Sequence, residues 1–145
     1  MTPTDSADFE QMFEWAPISL WLEDFSALKD LFASWRAAGV TDLEAHLRAD
    51  PTRVQQCAAG IRILQVNRQT LALFGAASLE ELQQRLPDVF RGDMFTTMLP
   101  EMLSLWNGRL DYSNQTVNYA LDGRRIDVAI RVRVLRGHET AGTAY

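Results

Sequence analysis

The chain has little cysteine, little histidine and no excess of positive charge, and each shortage closes off a class of function. Cys57 is the only cysteine in 145 residues, so no internal disulfide can form; this fits a reducing compartment. Two histidines, His46 and His138, have no second His, Cys or carboxylate at metal-ligand spacing, which argues against a metal site. A net charge of −5 argues against a nucleic-acid partner, because binding a phosphate backbone wants a basic face. The opening segment MTPTDSADFEQMF carries acids and no apolar h-region, so it does not read as a signal peptide. No apolar run approaches the ~20 residues of a membrane span. The expected location is cytoplasmic. There is no glycine-rich phosphate loop and no G-x-S-x-G elbow.

What is present is an ordinary globular composition, 47% hydrophobic and 23% charged, on a chain long enough for one core. The most regular stretch is DGRRIDVAIRVRVLRG (122–137), where Ile126, Val128, Ile130, Val132 and Val134 alternate with Asp127, Ala129, Arg131 and Arg133. Period two predicts a strand with one buried and one wet face. Arg125, Arg131 and Arg133 then form a basic stripe on the solvated side. Asp122-Gly123, between this strand and DYSNQTVNYAL, predicts a hairpin. Upstream, ISLWLED (18–24) also alternates, Ile18, Leu20 and Leu22 against Ser19, Trp21 and Glu23, and IRILQV (61–66) reads as a further strand.

Helical signals fill the rest. Phe9, Met12 and Phe13 share a stripe that Pro17 closes, and Leu28, Leu31, Phe32 and Trp35 recur at helical spacing up to Gly39. TDLE (41–44) and SLEE (78–81) read as capping boxes. Asp50-Pro51 predicts another helix start, and Asn67 a cap for RQTLALF, ending at Gly75. Phe95, Met98, Leu99, Met102 and Trp106 form a last stripe, which Pro100 either kinks or begins. No repeat, low-complexity segment or linker divides the chain. The fold class is α+β, an antiparallel sheet with helices on one face.

No constellation of these residues supports catalysis. A Cys57–His46 nucleophile pair lacks any local feature that would lower the thiol pKa. Glu80-Glu81 belong to a capping box, and Glu23-Asp24 read as a strand ending in a turn. Trp15, Trp21, Trp35 and Trp106 read as core anchors. Short helices over a half-open sheet can still leave an apolar cleft, and the side chains that would line it are Phe74, Phe90, Tyr119, Val128 and Ile130.

FEWAPISLWLEDFS, IRILQVNRQTLALFGAASLEEL and LDGRRIDVAIRVRV, in this order and spacing, resemble a bacterial PAS sensor domain over most of residues 9 to 136. The resemblance implies an opening helix, a first strand after the Ala-Pro step, a second strand ending at Asn67, and a hairpin forming the third and fourth strands. It divides the chain into an N-terminal amphipathic helix (1–17), a PAS-like domain (18–136) and a tail (137–145). A helical insert (25–60) separates the first two strands, which such domains usually join by a tight turn. Insertions of this kind resemble those of modules ahead of diguanylate cyclase (GGDEF) or histidine kinase output domains.

Asn67 is followed by RQTLALF rather than the cysteine-bearing helix start of the flavin light sensors, and no histidine occurs between Cys57 and Gly137. Covalent flavin and haem are therefore not expected, and the cofactor is left unknown. The resemblance further implies a five-stranded sheet whose fifth strand lies centrally, for which only RGHETAGTAY follows Leu135. The expectation is a stub within Thr140–Tyr145, or a truncated sheet missing its centre and compensated by dimerisation or strand exchange. The function implied is sensory: a module without catalytic activity that binds a small ligand or partner and relays to a downstream signalling domain. A homodimer contact would use Phe9, Met12 and Phe13, which could equally pack on their own sheet. The alternatives are a dimerisation scaffold that binds nothing, and a small α+β enzyme with a ligand cleft.

Overall fold

The computed structural model describes residues 3–109, 111–134 and 141–144. Its centre is a five-stranded antiparallel sheet flanked by helices, with strand order β2-β1-β5-β4-β3. Helix α1 (Pro3–Trp15) opens the chain and leads to β1 (Trp21–Asp24). Helices α2 (Ser26–Ala37), α3 (Leu43–Ala49) and α4 (Thr52–Ala59) form the expected insert before β2 (Arg62–Val66). Five short helices follow: α5 (Arg68–Phe74), α6 (Leu79–Gln84), α7 (Leu86–Val89), α8 (Met94–Thr97) and α9 (Leu99–Trp106). The hairpin of β3 (Asp111–Tyr119) and β4 (Arg125–Val134) precedes β5 (Ala141–Ala144).

Local sequence explains most of the boundaries. Asn67 accepts from the Thr70 N–H at 3.1 Å, and Gly75 takes φ 70°, a left-handed stop that favours glycine. Ser78 accepts from the Glu81 N–H at 3.2 Å while Glu81 reaches back to the Ala77 N–H at 3.1 Å. Asp50 holds the Thr52 N–H at 3.0 Å at the start of α4. Pro100 sits in the first turn of α9, so it begins a helix rather than kinking one. The cap of α3 is Asp42 rather than Thr41, accepting from the Ala45 N–H at 3.1 Å.

The sheet does have a centre. Ala141–Ala144 pairs with Trp21–Asp24 on one side and Val132–Val134 on the other. The stub is the form realised, and the alternative of a sheet missing its central strand is corrected. Four residues suffice because β5 is held on both sides, by the four-residue β1 and by the longer β3–β4 hairpin. In β4, Asp127, Ala129 and Arg131 are exposed while Val132 is buried, so its phase is the expected one.

In β1 the phase is the reverse of an aliphatic-inward reading. Trp21 is 7% exposed and Glu23 5%, while Leu22 is only half-buried and Ile18 is 51% exposed. A bulge in the β1–β2 pairing sets Leu22 opposite Gln65 but Glu23 opposite Ile63. The extra residue of β2, Leu64, turns to solvent. Trp15 is corrected as a core anchor: it is 64% exposed and carries the Arg68 guanidinium 4.0 Å above its ring.

Candidate functional site

A half-open cavity of about 370 Å³ lies against the inner faces of β1, β3 and β4, with side chains of α5, α8 and α9 lining its other side. That volume falls in the range of small-molecule sites. Phe74 and Phe90 wall it with Trp21, whose ring stands edge-on to Phe74 at 5.2 Å and stacks on Phe90 at 6.0 Å and 9°. Val128, Ile130 and Val132 supply the wall from β4. Four of the five expected lining residues, Phe74, Phe90, Val128 and Ile130, therefore surround one space. Tyr119 does not line it: its ring lies under the Arg91 guanidinium at 4.0 Å and against Gly92.

Gln69 lines the cavity from an exposed position, and the other polar groups in this wall fall into two sets. Ser19 Oγ pairs with Thr70 Oγ1 at 2.6 Å and accepts from Trp21 Nε1 at 2.7 Å. Thr116 Oγ1 bonds Thr97 Oγ1 at 2.7 Å, and Asn118 donates to Met94 Sδ at 3.4 Å. Glu23 and Glu101 form the second set. Both line the cavity, at 5% and 8% exposure, and neither carboxyl has a hydrogen-bond or ion-pair partner among the described residues. Burial, reinforced by the Glu101 charge, pushes Glu23 up to about 8; burial alone pushes Glu101 up to about 7. Burial and Glu101 together raise the nearby Tyr112 to about 12. Two carboxyls that lose water within one cavity hold protons more tightly than free ones.

Asn67 fixes the position of this wall. Fully buried, it accepts from the Leu20 N–H at 3.1 Å and donates to the Ile18 carbonyl at 2.8 Å, besides capping α5. One side chain thus ties the approach to β1, which carries Trp21 and Glu23, to the helix that carries Phe74.

Neither glutamate stood out in the sequence. Glu23 read as the end of a strand entering a turn, yet only Asp24 has that role, accepting from the Ser26 N–H at 2.9 Å. The available signal was its phase, shared with Trp21 and Phe25. Glu101 falls on the buried stripe Met94, Met98, Glu101, Met102, an acid at i+7 of an apolar helical face.

The other candidates lie elsewhere. Cys57 is buried in α4, its thiol pushed by burial up to about 12, which is the wrong direction for a nucleophile. His46 packs edge-on against Trp35 at 4.7 Å. His138 lies outside the described residues, as does the side chain of Phe9. Met12 is 68% exposed on α1 and Phe13 half-buried. Among the described residues no three His, Cys, Asp or Glu side chains are grouped to hold a metal ion, and no helix is long and apolar enough to cross a membrane.

No protein-family model matches the sequence, and no curated protein does. Solved structures match the fold. One is a domain of the sensory box sensor histidine kinase/response regulator from Geobacter sulfurreducens, at TM-score 0.58 and 12% identity over 97% of this chain and 90% of that one. The Rhodobacter sphaeroides LOV protein gives TM-score 0.59 at 13% identity over 99% of this chain, which spans 66% of that protein. A third is the PAS domain, in complex with ethanol, of a LuxR-family transcriptional regulator from Burkholderia thailandensis, with TM-score 0.55, 15% identity, and 94% and 93% coverage. At such identities the likeness establishes a PAS-like fold and nothing narrower.

Proposed function

We propose that the chain is a sensory module without catalytic activity, whose cavity takes a small organic ligand and whose occupancy is relayed to a signalling domain outside residues 1–145. The observation that carries this reading is the cavity of about 370 Å³, walled by aromatic and aliphatic side chains and holding two unpartnered carboxyls. A core serving only to stabilise the fold gains nothing from two unsatisfied acids, because burying them costs free energy. A binding site can recover that cost from its ligand. The relay would run through β5, which sits between β1, bearing Glu23, and β4, bearing Ile130 and Val132. A ligand shifts such a module only by binding two of its arrangements unequally.

The resemblance to modules ahead of diguanylate cyclases and histidine kinases suggests the kind of output, and the Geobacter domain comes from a sensor histidine kinase. A homodimer through α1, with Met12 and Trp15 exposed on it, completes the proposal. Covalent flavin and haem stay outside it, since neither Cys57 nor His46 lines the cavity. Native mass spectrometry of protein purified from two expression hosts tests the reading. A reproducible bound small molecule supports it. Empty protein from both hosts, with no thermal shift across a small-molecule library, favours a scaffold that binds nothing.

A further inference from the structure

Resting on the sensory reading above, we infer that the ligand is an organic cation, a protonated amine on an apolar body, whose ammonium sits between Glu23 and Glu101. Ser19, Thr116 and Asn118 already hold hydrogen bonds within the protein, whereas the two glutamates hold none among the described residues. Both glutamates are more than nine-tenths buried and face the same space. No arginine, lysine or histidine lines that space, so any positive charge that would ionise the pair comes from what enters it.

An ammonium supplies three donors and one positive charge, enough to satisfy two carboxylates at once. The walls suit the same ligand, because Trp21, Phe74 and Phe90 present aromatic surface that attracts a cation as well as an apolar body. At about 30 Å³ for each water displaced, the cavity holds roughly a dozen non-hydrogen atoms, the size of an arylalkylamine. A carboxylate ligand would place a third acid beside two others. A neutral alcohol would leave the pair protonated and gain no charge-assisted bond from it.

The cation also gives the acids a reason to ionise. Glu23, Glu101 and Tyr112 are the titratable groups that act on this corner among the described residues, and all three have raised pKa values. The empty pair therefore holds protons near neutral pH, and an entering ammonium releases them. Binding tightens as pH rises from about 6 to 8, the range in which these carboxyls ionise.

Three near-isosteric probes test this: 2-phenylethylamine, 2-phenylethanol and 3-phenylpropanoate, measured by isothermal titration calorimetry on the full chain. The amine is expected to bind at least about tenfold tighter than the alcohol, the size of a charge-assisted bond. In buffers of differing ionisation enthalpy its binding should release protons. Glu101→Gln and Glu23→Gln should each remove the amine preference and the proton release while keeping alcohol binding. Should the Gln variants misfold, selectivity and proton release in the wild-type chain decide alone. An alcohol or carboxylate that binds as tightly as the amine overturns the cation and leaves the sensory cavity standing. No binding by any probe up to millimolar concentration also overturns it, while co-purification by mass spectrometry judges the sensory reading separately.

Discussion

β1 and β4 are both written in period two, and they spend that period in opposite ways. β4 turns its aliphatic residues inward and its charges out, as an antiparallel strand with one wet face should. β1 turns Trp21 and Glu23 inward and leaves Leu22 half-buried. Alternation fixes which residues share a face, but not which face meets the core. That choice is made by the partners: the bulge at Leu64, and the aromatic cluster of Phe74 and Phe90 that receives Trp21. The strand that departs from the aliphatic rule is the one that carries the unpartnered acid, and exceptions of this kind are expected at sites.

The largest test of that contrast is truncation on the two faces of β1. Trp21→Ala removes a buried indole with two aromatic contacts and should destabilise by about 3–5 kcal/mol. Leu22→Ala, on the half-buried face, should cost no more than about 1 kcal/mol. Urea denaturation gives both numbers. Equal costs would return β1 to the aliphatic-inward phase and remove Glu23 from the cavity.

The acids of this cavity give the next effect, and its sign is opposite to that of ordinary surface carboxylates. Glu23 and Glu101 have folded-state values of about 8 and about 7, above their unfolded value of 4.5. Between these limits the native state binds more protons than the unfolded chain, so stability falls as pH rises. Asp24 and Asp50 are held low by their hydrogen bonds to Ser26 and Thr52, so they act the other way, at lower pH. The clean readout is a difference. From pH 5.5 to 8, thermal unfolding of the ligand-free wild type should lose several degrees relative to Glu101→Gln, whose side chain does not titrate. Parallel pH curves would mean that Glu101 is solvated.

A smaller loss, about 2 kcal/mol, is expected for Asn67→Ala. It removes a helix cap and strands the Leu20 N–H and Ile18 carbonyl. Its position before RQTLALF was legible in the sequence, as were Gly75, the Ser78 cap and the hairpin, because each is decided by neighbours a few residues away. The hairpin loop is longer than Asp122-Gly123 alone, since pairing stops at Tyr119 and Arg125. Four cavity residues were legible too, from phase and from helices expected above the sheet. Glu23 and Glu101 were not, because a polar residue on an inward face is visible only once contacts distant in the chain define what is inward. Tyr119 failed for a related reason: it sits at the hairpin end, where Arg91 and Gly92 take its ring away from the cavity.

The smallest effect belongs to the outer face of β4, which sharpens the comparison from the other side. Arg125 pairs with Asp93 and Asp127, but all three side chains are about half or more exposed. Water and salt screen such pairs, and ordering the long arginine offsets much of their attraction. Arg125→Ala should therefore change stability by no more than about 0.5 kcal/mol. Val132→Ala, on the buried face of the same strand, should cost about 2 kcal/mol through two lost carbons and the void they leave. A loss at Arg125 comparable to that at Val132 would mean that the outer face of the sheet is covered in solution, which is where a partner or second copy would dock.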